Sequence, residues 1–275
     1  MRNMEGYKLT EQLPGGAFGE VWIARDLSNE KDVVVKFLRQ VSFENLQRFH
    51  REAKLYWQEQ DCPFFAKLLN YNFRLPRPFI VLEYYKHGSL RSRLGSNWYD
   101  TAIWIQHAAL ALHSLHSKGG IHRDIKPDNL FISEDKNLGL IAVVGDLGFG
   151  RVPFPYSNST MTNSLRGTEG YIAPELYKTN RFDPKCDIYS LGITGIELIT
   201  GSRERDSINR QWISAGIKDL FLTMTSWNPD KRPEAHEVAQ TIGTICQEYK
   251  SNFKTAAIVG ASLVVLGLLA SKSMK

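Results

Sequence analysis

His122-Arg-Asp-Ile-Lys-Pro-Asp-Asn129 is the stretch whose reading decides how this 275-residue chain folds. It packs an imidazole, two cations, two carboxylates, a carboxamide and a helix-breaking proline into eight positions. Apolar sequence bounds it, residues 110–115 before and Leu130-Phe-Ile132 after, so its polar groups sit at the edge of a core. Polar groups held there by a rigid scaffold suit catalysis, and a polar surface turn is the competing reading.

Working outward, residues 130–132 and 140–144 are predicted to pair as strands, and Asp146-Leu-Gly-Phe-Gly150 follows directly. Upstream, Ile105, Ala108, Ala109, Leu112 and Leu115 predict an amphipathic helix over 101–118, ended by Gly119-Gly120. His107, His113 and His116 on that helix read as packing or surface residues rather than metal ligands.

Nearer the start, residues 7–13 and 20–25 read as strands, with Val21 and Ile23 alternating against Glu20, Trp22 and Ala24. Pro14-Gly-Gly-Ala-Phe-Gly19 between them can bring backbone N–H groups to phosphate oxygens, though taken alone an ordinary glycine-containing hairpin loop is the better reading. Val33-Val-Val-Lys36 is a β-branched strand ending in a lysine that either serves a site or snorkels to solvent. Residues 43–60 are predicted helical, with Phe49, Ala53 and Tyr56 or Trp57 on one stripe and Glu52 on or beside it. A carboxylate there needs a partner, and Lys36 is available. Phe79-Ile-Val-Leu-Glu-Tyr84 reads as a buried strand, and Lys86-His-Gly-Ser89 as a linker between a strand-rich part and a helical one.

Past the opening stretch, residues 151–166 form a long hydroxyl-rich loop, of the kind that is usually functional or mobile. Residues 188–200 are apolar nearly all round, the pattern of a buried helix; 212–225 and 235–249 are predicted amphipathic helices.

The totals allow one large domain or two lobes, at 43% hydrophobic and 23% charged residues. A net charge of +5 is mild, and its lysines and arginines form no block, so no nucleic-acid binding is expected. Cys62, Cys186 and Cys246 are dispersed, which argues against disulfides or a zinc site and for a reducing compartment. The first six residues lead into polar sequence, so no secretory leader is expected, and no internal repeat is apparent.

Taken in order, the glycine loop, Lys36, Glu52, His122–Asn129, Asp146–Gly148 and Ala173-Pro-Glu175 resemble the eukaryotic-type protein kinase family, over about residues 7–247. The resemblance implies an α+β, bilobal fold, with a small β-rich lobe over about 7–85 and a larger helical lobe over about 86–249. It implies ATP and Mg2+ as cofactors and protein substrates as partners. Catalytic roles fall on Asp124 (acceptor hydroxyl), Lys126 (charge in transfer) and Asn129; Asp146 and Asn129 are the implied metal ligands. Lys36, oriented by Glu52, would hold the α- and β-phosphates. Leu13, Gly15, Gly16, Phe18, Gly19, Val21, Val34, Glu83 and Tyr85 complete the implied nucleotide site, with Leu82 as gatekeeper and residues 83–85 as hinge.

Lys126-Pro-Asp-Asn129 and Gly167-Thr168 are similar to the serine/threonine branch. Thr168 is expected to bond Asp124 and Lys126, Glu175 to pair with Arg232, and Asp187 to hold the catalytic-loop backbone. Thr160 and Thr162 are placed like autophosphorylated threonines of bacterial members, with Arg123 reading the phosphate; with Thr168 they make up the regulatory set. Departures are Pro14 for a glycine, Leu147 for a phenylalanine, Val34 for a smaller residue, and a short run from Glu175 to Arg232. None removes a charge that the chemistry needs. A pseudokinase-like membrane-anchored scaffold and a small-molecule phosphotransferase are the alternatives.

Residues 256–270 carry no charge, and 255–271 would make a helix of about 25 Å. A single transmembrane helix is expected there, joined by a juxtamembrane linker at 250–254, with the kinase domain cytoplasmic.

Overall fold

Alternation along residues 32–38 sets the first layer. Successive strand residues face opposite sides, so Val33, Val35 and Phe37 turn one way and Val34, Lys36 and Leu38 the other. The first set is buried with Tyr7, Leu9, Ala24, Phe79 and Val81 in a small core on the outer face of a sheet. The second faces a helix and a cleft.

The computed structural model describes residues 3–4, 6–14, 19–149, 168–179, 182–210 and 212–252. Its larger sheet is antiparallel, in the order β1 (Asn3–Met4), β2 (Tyr7–Leu13), β3 (Gly19–Asp26), β4 (Asp32–Leu38), β6 (Phe79–Glu83), β5 (Leu68–Asn72). Helix α1 (Phe43–Gln58) packs on its inner face, started by Ser42, whose hydroxyl accepts from the Asn45 amide at 3.2 Å. Of the two aromatic candidates on α1, Tyr56 is fully buried and Trp57 is 65% exposed.

Beyond the linker, α2 (Trp98–Ser117) starts at an Asn97 cap, ahead of the expected residue 101. The ribbon β7 (Leu130–Asp135) and β8 (Gly139–Val144) lies against it. After the short α3 (Leu176–Thr179), α4 (Pro184–Thr200) begins with an Asp183 cap and Pro184, and stops at Gly201 in the left-handed conformation (φ 73°). It is buried on nearly every face, as its sequence required. A Cβ on Gly192 would come within 2.8 Å of Thr225 and one on Gly195 within 2.6 Å of Phe221, so these glycines let α5 (Ala215–Met224) approach closely. A final helix, α6, runs through residues 235–252.

Besides the earlier start of α2, the structure corrects the sequence reading elsewhere. Strand β5 was not expected, α5 begins at Ala215 rather than 212, and Trp212 stands fully exposed before it. A continuous apolar core runs from α1 through α2, β8 and α4 to α6. Between the six-stranded sheet and the helical part lies a cleft of about 590 Å³.

Candidate active site

Lys36 projects into this cleft from β4, and Glu52 reaches it from α1. Lys36 Nζ donates to Glu52 Oε1 at 2.6 Å and to Asp146 Oδ1 at 3.2 Å. Burial alone would push the Lys36 ammonium down, but Asp146 and then Glu52 outweigh it and hold the pKa above the usual lysine range. The same ammonium holds the Asp146 carboxyl below its ordinary value. A Cβ on Gly148 would lie 3.3 Å from Asp146 Oδ1 and 3.4 Å from both Glu52 Oε2 and Lys36 Nζ, so the missing side chain leaves the group room.

The octapeptide forms the floor. His122 is wholly buried; its Nε2 donates to the Gly145 carbonyl at 3.0 Å, and its Nδ1 accepts from the Asp124 amide at 3.3 Å. From beneath, the buried Asp187 accepts from the His122 and Arg123 amides, each at 2.8 Å, and from His116 Nε2 at 2.9 Å. Burial favours its neutral form, but His116 and these amides win and keep its pKa low. Above this floor, Lys126 Nζ donates to Asp124 Oδ2 at 2.8 Å and to Thr168 Oγ1 at 2.5 Å; Thr168 Oγ1 donates to Asp124 Oδ1 at 2.8 Å. Asn129 Nδ2 donates to the Asp124 carbonyl at 2.8 Å and to Asp124 Oδ2 at 2.9 Å, which leaves its amide oxygen as the donor atom for a cation.

A family model described as the protein kinase domain matches residues 7–242. The chain belongs to the protein kinase family. Among curated relatives it is 30% identical over 208 residues to the human serine/threonine-protein kinase Nek5, covering 72% of this chain and 28% of that protein. It is 30% identical over 205 residues to human 3-phosphoinositide-dependent protein kinase 1, covering 72% and 36%. The serine/threonine-protein kinase Pkn1 of Myxococcus xanthus is 28% identical over 203 residues, covering 71% and 29%. The chain thus spans well under half the length of these relatives.

In this chain the cleft collects most of the residues that the sequence singled out. Leu13, Gly19, Val21, Val34, Lys36, Glu52, Leu82, Glu83, Tyr85, Asn129 and Asp146 all line it. Asp124, Lys126 and Thr168 are knotted together through the bonds above, and Asn129, which lines the cleft, joins that knot to it. Gly15, Gly16 and Phe18, the threonines Thr160 and Thr162, and the apolar segment 255–271 lie outside the described residues. Among the described residues no helix is long and apolar enough to cross a membrane. Arg123 holds a positive φ of 72° and lays its guanidinium over the Phe182 ring at 4.0 Å.

Two residues near the site escaped the sequence reading. The Tyr56 hydroxyl accepts from the Asp146 amide at 2.8 Å, tying α1 to the segment that carries the carboxylate. Helical spacing left Tyr56 and Trp57 equivalent, so only the inward position of Tyr56 marks it. Asp128, in the octapeptide but given no role, is bound by Arg91. Glu175 and Arg232 form the expected pair, with Arg232 fully buried and two bonds of 2.7 Å. Among the described residues, no group of three or more histidine, cysteine or acidic side chains could hold a metal.

Proposed function

We propose that this chain is a protein serine/threonine kinase that moves the γ-phosphoryl group of ATP to hydroxyls of protein side chains. The observation that carries the reading is the Asp124–Lys126–Thr168 knot, bonded at 2.5–2.8 Å and joined through Asn129 to the cleft that holds Lys36, Glu52 and Asp146. The serine/threonine kinases among the relatives support it.

Phosphoryl transfer asks the protein mainly for positioning and charge. Lys36, kept cationic by its two carboxylates, holds phosphate oxygens, and Glu52 aims it. Leu13, Val21, Val34, Glu83 and Tyr85 enclose the nucleotide, and the loop residues Gly15, Gly16, Phe18 and Gly19 cover its phosphates. The Asp146 carboxylate and the Asn129 amide oxygen are hard oxygen donors that would hold Mg2+, which would supply charge neutralisation to the phosphates. Asp124 accepts or orients the proton of the acceptor hydroxyl, held at a fixed angle by Thr168, Lys126 and Asn129. Lys126 steadies negative charge during transfer.

Around this core, residues 7–249 form the kinase domain. Thr160 and Thr162 are autophosphorylation sites, and residues 255–271 anchor the chain in a membrane, with 250–254 as linker and the domain facing the cytoplasm. The uncharged run 256–270 supports the anchor.

The test is transfer from labelled ATP with Mg2+ to a mixed protein substrate. Label on serine and threonine that disappears in Asp124→Ala is the expected result. ATP binding without transfer would turn the reading to a scaffold, and label on small molecules alone to a small-molecule phosphotransferase. Mass spectrometry of the chain after reaction checks Thr160 and Thr162. Release of the full-length chain by carbonate without detergent would rule out the anchor.

A further inference from the structure

Three buried polar residues stand on one stripe of α1. Glu52, Tyr56 and the cap residue Glu59 fall at i, i+4 and i+7, and their exposures are 4%, 0% and 1%. Each bonds a different part of the fold. Glu52 meets Lys36 of the sheet, Tyr56 meets the Asp146 amide past the ribbon, and Glu59 meets the end of α2. Glu59 Oε2 accepts from Ser114 Oγ at 2.6 Å and from Lys118 Nζ at 2.9 Å. Lys118 is the C-cap of α2, and its ammonium also donates to the Gln58 carbonyl at 2.9 Å. One lysine and one serine thus fasten the ends of the two helices together.

This is a poor way to gain stability. A carboxylate at a helix C-terminus meets the negative end of the macrodipole. Glu59 Oε1 is buried and accepts no hydrogen bond among the described residues. Apolar residues of the same volume often stabilise as well as a buried ion pair does. What the pair supplies is direction. Gln60 Nε2 donates to the Leu68 carbonyl at 2.7 Å and Lys67 Nζ to the Cys62 carbonyl at 2.9 Å, which tie the loop after α1 to the start of β5, within the sheet's own part of the molecule. Lys118 and Ser114 come from the helical part. They hold α1 across the boundary at which the cleft lies.

We infer that Glu59 is a positioning residue for phosphoryl transfer: through Lys118 and Ser114 it fixes where α1 ends against α2, and so holds Glu52, two turns back on the same stripe, at the height where it meets Lys36. This rests on the kinase reading and adds a residue to it. A helix is a rigid element, so an axial shift of its end reaches Glu52 undiminished. The Lys36–Glu52 bond is 2.6 Å long, and about 1 Å of shift takes it out of hydrogen-bond range.

The experiment measures melting temperature and steady-state kinetics with ATP and the mixed protein substrate. The proteins are wild type, Lys118→Arg, Ser114→Ala, the double variant Glu59→Gln with Lys118→Met, Glu52→Gln, and Glu52→Gln combined with that double variant. Glu59→Gln with Lys118→Met strands no charge, so it is expected to melt close to wild type. Its kcat/KM nevertheless falls about 10- to 100-fold, the scale of an ångström's misplacement. Lys118→Arg keeps the ion pair and most of the activity, while Ser114→Ala gives up one hydrogen bond and falls about threefold. In the Glu52→Gln background the double change costs no further activity, because the pin works only through Glu52. A purely structural role gives another pattern: activity returns with stability in the double variant, or its loss adds to that of Glu52→Gln. Either result overturns the inference. If the double variant does not fold, retained activity in Lys118→Arg together with the fall in Ser114→Ala sustains it, and the opposite result for either one overturns it. A wild type that transfers no phosphate to any protein removes the kinase reading itself, whereas an active wild type indifferent to the loss of the pin removes only the role of Glu59.

Discussion

Arg232 and Glu175 meet through two hydrogen bonds of 2.7 Å each, with the guanidinium wholly out of solvent. Arg232 also donates from Nε to the Ser226 carbonyl at 2.8 Å and from Nη1 to the Lys185 carbonyl at 3.0 Å. The pair fixes the Ala173-Pro-Glu175 segment to the start of α4 and the turn before α6. Glu175→Ala leaves a buried cation without its carboxylate, and a loss of about 3–5 kcal/mol is expected. Urea unfolding of the variant against the wild type measures it.

Lys36→Met separates stability from chemistry. It strips buried Glu52 of its 2.6 Å partner, so both melting temperature and activity fall. Adding Glu52→Gln removes the stranded charge and is expected to recover stability but not activity. The kcat/KM for ATP stays down by about 100-fold or more in both, the scale of losing a preorganised charge at a reacting group. Recovery of activity in the double variant would contradict the role given to Lys36.

Thr168→Ala removes a hydroxyl that bonds both Asp124 and Lys126. The expected effect is a fall in kcat of roughly 10- to 100-fold with the KM for ATP unchanged, since general-base alignment is lost and nucleotide contacts are not. Thr168→Ser keeps the hydroxyl and retains most of the activity. Steady-state kinetics on the three proteins decides.

His107 makes stability depend on pH. Burial holds its imidazole down to about 4, against a weaker upward pull from Asp135. The ring stacks on Phe64 at 4.6 Å between centroids, and Nδ1 accepts from the Ala142 amide at 3.2 Å. The unfolded chain takes up this proton near 6.5 and the folded chain only near 4. The contribution is therefore whole above pH 6.5, shrinks as pH falls to about 4, and does not change further below. The full span is on the order of 3 kcal/mol. Urea midpoints from pH 4 to 7 for the wild type and His107→Gln, which cannot titrate, should converge on acidification.

Tyr56→Phe tests the link between α1 and Asp146. The Asp146 amide loses its 2.8 Å acceptor, and about 1 kcal/mol of stability is expected to go with it. Because α1 also carries Glu52, the KM for ATP should rise in the same variant.

What the sequence made legible, and what it hid, divides along physical lines. Lys36 and Glu52 could be paired because a strand-end lysine and a carboxylate on a helical stripe each needed a partner across a core. The buried α4 announced itself through apolar residues on all sides. Strand β5, Leu-Leu-Asn-Tyr-Asn, has no clean alternation, with Leu69 and Tyr71 exposed at the sheet edge, so its pairing with β6 was invisible. The bonds of Tyr56 to an amide 90 residues away and of Arg91 to Glu197, 106 residues away, leave no periodic trace at all. Helix starts shifted because single caps, Asn97 for α2 above all, set them more than hydrophobic spacing does.

The ribbon β7–β8 carries one more consequence. Leu130 lies opposite Val144, and the Gly145 amide donates to the Asn129 carbonyl at 2.9 Å, so Asn129 and Asp146 leave the same end of one ribbon. Lys36 rides on the other sheet. Where the two layers touch, the Ala66 amide donates to the Val144 carbonyl at 2.9 Å and the Val144 amide to the Phe64 carbonyl at 2.7 Å. The cleft is thus a jaw whose fulcrum lies beside the two proposed cation seats. A rotation about that fulcrum would change the distance from Lys36 to Asp146 and leave the distance from Asn129 to Asp146 as the ribbon sets it.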